Sequence, residues 1–117
     1  MRLIDYPVTI AEKQRQLLQT EQHIRRLQEI VNRLTAEIDT KIAFDSDLRN
    51  DAQRKAKRLE LMSAADYRRA AANLQITQDE RAEIEIDLNL LRNQFSVLKL
   101  QLREAIAARE LQVVDAA

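Results

Sequence analysis

The chain has 117 residues, with Lys plus Arg and Asp plus Glu at 19 each, no glycine, no cysteine and a single proline, Pro7. Without cysteine there is no disulfide, thiolate nucleophile or thiolate metal site; without glycine there is no Walker loop, dinucleotide fingerprint or nucleophile elbow. The even charge balance points neither towards nor away from nucleic acid, and no apolar run approaches the roughly 18 residues that span a bilayer.

Residues 1 to 8 are expected to be an extended segment, because Pro7 sits just before a helix-start signal. Thr9-Ile10-Ala11-Glu12 has the spacing of a capping box, in which the Thr9 hydroxyl accepts the N–H of Glu12 and Glu12 reaches back to Thr9. Neither the segment nor the rest of the N-terminus has the long apolar core of a signal peptide, so the cytoplasm is the expected location. From there Leu17, Ile24, Leu27, Val31, Leu34 and Ile38 recur at spacings of three, four and seven, which makes one narrow stripe of the coiled-coil type. Lys41 and Asp45 fall where that seam should stay apolar. It resumes at Leu48, Ala52, Ala56, Leu59 and Met62.

The position of the chain reversal has two readings. Ser63-Ala64-Ala65-Asp66 resembles a cap and would divide the chain into helices of about 10–62 and 65–112, a long antiparallel hairpin. The alternative turns at Phe44-Asp45-Ser46-Asp47 and at the capping-box sequence Thr77-Gln78-Asp79-Glu80, which gives a spectrin-like three-helix bundle. Helical phase runs on from Ile76 to Ile84 across Thr77, and this favours the hairpin. The expected architecture is therefore all-α: one coiled-coil domain over 9–113 with a tail at 114–117, which oligomerises into a helical bundle.

The last helix carries apolar residues on two faces. Ile84, Leu88, Leu91, Phe95, Leu98, Leu102 and Ile106 project within roughly 40° of one line, and Ile86, Leu90, Val97 and Leu100 project to nearly the opposite side. A helix apolar on two faces sits between partners. In a hairpin the second partner is another chain, and the simplest product is a dimer forming a four-helix bundle. Scattered surface leucines are the ordinary alternative, but these four line up. With a reversal near 63–64, Lys41 faces the neighbourhood of Glu85 and Asp45 that of Arg81, a polar layer that would fix register; the alternative is a polar stretch at a local kink or turn.

Catalytic chemistry finds no foothold. His23, the only histidine, lies beside the seam with Gln22 and Arg25 and has no Glu three positions before it, so the Glu-x-x-His element of metal bundles is missing. Asp79, Glu80, Glu83, Glu85 and Asp87 are spread around a helix and read as a solvated face. No cofactor is expected, and the protein is read as no enzyme. Charge is better organised: Arg49, Arg54, Lys55, Lys57, Arg58, Arg68 and Arg69 outweigh Asp51, Glu60 and Asp66. A turn at 63–64 would gather them into a basic tip beside an acidic waist made by 37–48 and 79–87. Such a tip could neutralise phosphates in a salt-sensitive, sequence-independent way, or dock on an acidic protein or a neighbouring copy; ordinary helix-surface charge with i,i+4 pairing is the plain alternative. It lacks the aromatic residues of single-strand binders.

The stretch from Arg49 to Lys55, Asp66-Tyr67, and the run from Leu90 to Leu100 are similar to small coiled-coil proteins of bacterial mobile-element and phage genomes. That resemblance implies an accessory role near DNA transactions and carries no functional residues. The sequence thus leads to a non-catalytic scaffold or adaptor that self-associates through helix faces, with an accessory nucleic-acid-binding protein as the alternative. Self is the expected partner, another protein comes next, and nucleic acid is less favoured; no membrane is implied.

Overall fold

A computed structural model describes residues 1–116. It is all-α: a short 3-10 helix at Leu3–Asp5, then α1 (Tyr6–Ala43), α2 (Asp51–Met62) and α3 (Ala65–Ala116). No strand occurs among the described residues. The expected tail at 114–117 is helical as far as Ala116, and Ala117 lies outside the described residues.

The start of α1 differs from expectation. The extended segment is instead a 3-10 turn closed by the Asp5 carboxylate, whose Oδ2 accepts from the backbone N of Arg2 at 2.8 Å. Pro7 lies inside the first turn of α1, where its missing N–H would have no helical partner and its fixed φ suits the helix. Thr9 is then one turn in, and its hydroxyl donates back to the Asp5 carbonyl at 2.9 Å instead of capping.

The chain reverses in the seven-residue segment 44–50, so the helix expected over 10–62 is two helices. No residue there or elsewhere among the described residues takes a positive φ. Side chains build the turn that glycine would otherwise make. Asp45 Oδ1 accepts from the N of Asp47 at 3.0 Å, and the Asp45 carbonyl accepts from Leu48 N at 3.3 Å. Asn50 then caps α2 by accepting from Gln53 N at 2.8 Å, while Gln53 Oε1 accepts from Arg49 N at 2.7 Å. The first bond satisfies one of the donors that every helix start leaves open, and the second ties the residue before the cap to the helix.

Ser63 and Ala64 interrupt the returning leg without reversing it. The Ser63 hydroxyl donates backwards to the Leu59 carbonyl at 2.8 Å, and Ala64 N takes the carbonyl three residues back, Leu61 O, at 3.2 Å. Ser63 therefore closes α2 and does not act as the N-cap of α3. At Thr77, where the three-helix reading turned, α3 continues. Thr77 is buried, and its hydroxyl is satisfied by the Asn73 carbonyl one turn back at 2.9 Å.

The chain packs as two compact units, 1–18 with 82–117 and 19–81. In the 19–81 unit α1 meets α2 and the start of α3 in antiparallel order. Arg58 hydrogen-bonds and ion-pairs with Asp39. Leu61 to Tyr67 share one groove with Leu34 to Lys41, and Asp66 to Asn73 share the next with Leu27 to Leu34. Ile24, Leu27, Ile38, Ile42 and Ala70 form its buried core. Ile42 follows Ile38 by four residues, so the seam passes beside Lys41 without interruption. The resumed seam is weaker than expected: Ala52, Ala56 and Leu59 are exposed, and α2 packs through Leu61 and Met62 with the stems of Lys57 and Arg58.

The other unit pairs the first turns of α1 with α3 from residue 82 onward. Tyr6, Ile84 and Leu88 are buried. The Tyr6 ring stacks on Phe95 with centroids 5.6 Å apart and planes 5° from parallel, and Lys99 Nζ lies 4.4 Å from the Phe95 centroid. Lys13 reaches Asp87 at 3.4 Å. Register follows from these contacts: α1 begins opposite Phe95, and α3 runs on to Ala116 past the end of its partner.

Candidate interaction surface

Moving the reversal to 44–50 makes the returning leg longer than the outgoing one. Every described side chain of α3 from Lys99 to Asp115 is exposed. The inner stripe expected from Ile84 to Ile106 is filled only in part. Ile84 and Leu88 are buried, Leu91, Phe95 and Leu98 are half-buried, and Leu102 and Ile106 are exposed because α1 has ended.

On the outer side the four aligned residues are all uncovered: Ile86 is 66% exposed, Leu90 54%, Val97 51% and Leu100 55%. Leu111 and Val114 extend the line, also exposed. Burying each such side chain is worth about 1.5–3 kcal/mol. Asp79, Glu83 and Glu85 are exposed at its approach.

The polar layer does not form as expected. Asp45 lies in the turn, where its carboxylate holds Asp47, so it has no place in a helical seam. Lys13 of α1, which precedes Lys41 by about eight helical turns, reaches Asp87, two residues beyond Glu85. Lys41 lines the groove with Leu61 and Tyr67. Arg81 and Glu85 have interactions of their own.

The basic residues do not form a tip either. Because the chain does not reverse at 63–64, they flank an interruption in the returning leg. The true turn carries Asp45 and Asp47 with Arg49 alone against them. Three of the seven are tied to carboxylates: Arg54 to Asp51 at 3.1 Å, Lys57 to Glu60 at 3.6 Å, and Arg58 to Asp39. Arg69 shares a groove with Asp66 and Arg33, while Arg49, Lys55 and Arg68 are exposed.

Among the described residues, no group of His, Cys, Asp and Glu could hold a metal ion, and no helix is long and apolar enough to cross a membrane. Three features of this arrangement escaped sequence reasoning. The continuation of the seam through Ile42 had a signal, the four-residue step from Ile38. The exposed end of α3 and the Tyr6–Phe95 stack depend on register, which spacing alone does not set. Comparison with family models, curated proteins and solved structures found no match.

Proposed function

We propose that this protein is a non-catalytic coiled-coil interaction protein, a scaffold or adaptor that self-associates through the outer face of α3. The observation that carries the proposal is the exposed line Ile86, Leu90, Val97 and Leu100 on a helix whose opposite face is covered as far as Phe95 and Leu98. Removing that line from water is favourable, and a second copy offers the matching surface by symmetry. The cytoplasmic setting remains part of the proposal and rests on composition alone.

Exchanging Leu90 and Val97 together for aspartate tests this. Both residues are exposed in the single chain, so the variant is expected to keep its helical circular dichroism while its mass by light scattering falls to that of a monomer. An unchanged mass would refute the proposal. Nucleic-acid binding through Lys55 and its neighbours is the weaker reading, since the ion pairs above already engage part of the basic set. A salt titration with single- and double-stranded DNA is expected to show no binding that depends on Lys55, Arg68 and Arg69.

A further inference from the structure

The outer face of α3 holds a longer pattern than four apolar residues. From Ile86 the steps run four, three, four, three without a break to Val114, through Leu90, Asn93, Val97, Leu100, Glu104, Ala107 and Leu111. This is a heptad seam with Ile86 and Leu100 at d-type positions and Leu90 and Val97 at a-type positions. All nine positions are exposed. Two of them, Asn93 and Glu104, are polar, and their placement discriminates between ways of pairing.

We infer that a second copy docks on this seam antiparallel, with its α3 offset so that Val97 of each copy meets Leu100 of the other. In antiparallel coiled coils an a-type position of one helix lies opposite a d-type position of the other. The stated register sets Asn93 of each copy opposite Glu104 of the other, where the amide N–H can donate to the carboxylate. Leu90 meets Ala107, and Ile86 meets Leu111. The two polar positions are thus matched twice by one two-fold axis; the Val97–Leu100, Leu90–Ala107 and Ile86–Leu111 layers are apolar, and only the terminal Val114 falls opposite a charged residue, Glu83. A shift of one heptad either way sets Asn93 against Val97 or Leu111, and Glu104 against Ile86 or Leu100, which leaves polar groups unpaired in an apolar seam.

Charge within the seam disfavours the parallel alternative. There Glu104 would face Glu104, and Glu110 would approach Asp115 across the flank, both like-charge contacts. In the antiparallel register the flanking pairs are Arg103 with Ser96, Glu110 with Asn89, Gln94 with Gln101 and Asp87 with Ala108, and the one like-charge pair, Asp115 with Glu80, lies at the ends of the seam. The inner stripe around Leu88 and Phe95 stays against α1 in each copy, because it lies on the opposite side of α3.

This inference rests on the proposed self-association and specifies its geometry. The chain has no cysteine, so introduced ones are unambiguous. Asn93→Cys and Glu104→Cys are made in separate chains, one carrying a size tag, and oxidised alone and mixed. A disulfide needs Cα atoms within about 7 Å, whereas eleven residues along a helix span about 16 Å. The antiparallel register is expected to give a tagged–untagged disulfide in the mixture and none in either variant alone. Disulfides within each variant alone would overturn it in favour of parallel pairing. A dimer by sedimentation with no disulfide in any sample would overturn the register and leave self-association standing. A monomer by sedimentation, with helicity intact, would sink both.

Discussion

At the scale of single residues, short side chains do what glycine does elsewhere. Asp45, Asn50 and Gln53 each satisfy a backbone N–H in the reversal, so the chain turns without a left-handed residue. Asn50→Ala is expected to lower stability by about 1 kcal/mol, read from urea unfolding followed by circular dichroism, while Asn50→Asp retains most of it. Asp45→Leu is expected to destabilise as well, by about 1 kcal/mol, because its carboxylate closes the turn; a position in a buried seam would give the opposite sign. Tyr6 is the best-covered aromatic side chain and stacks on Phe95. Tyr6→Ala is expected to cost about 2–4 kcal/mol, with hydrogen exchange quickening first in the opening turns of α1.

At the scale of elements, much of the architecture was legible and the register was not. The first seam is visible as the three- and four-residue steps from Ile24 to Ile38, and those residues do pack. The outer face of α3 is equally visible, since its projection needs only the helical period. The reversal was misplaced because Ser63-x-x-Asp66 and Phe44-Asp45-Ser46-Asp47 carry equally good local signals. Their difference lies in what the side chains bond. Ser63 turns its hydroxyl back to Leu59, whereas Asp45 and Asn50 bond forward. Thr77 misled in the same way, since a threonine can cap a helix or bond back within one, and its burial selects the second. The Lys13–Asp87 ion pair marks the register while adding less than about 1 kcal/mol, since it is partly exposed. Cysteines at Lys13 and Asp87 are expected to be bridged within one chain by a short thiol-reactive linker, and cysteines at Lys41 and Glu85 are not. Efficient bridging of the second pair would return the reversal to Ser63.

At the scale of the whole molecule, the shifted reversal has the main consequence. A chain that turned at 63–64 would spend most of α3 against its own first leg. Turning at 44–50 leaves α3 with a covered inner stripe only as far as Phe95 and Leu98, an uncovered outer seam, and an end that α1 does not reach. A single chain thus buries only a modest part of its apolar residues, and association is the physical route to burying more. The matched polar positions Asn93 and Glu104 would then limit which association forms, at some expense in stability.

Sedimentation equilibrium of the unaltered chain, over micromolar to submillimolar concentrations at moderate salt, tests self-association most directly. The account predicts a reversible equilibrium that reaches twice the monomer mass; a single monomer mass across the whole range, from a sample that remains helical, would contradict it.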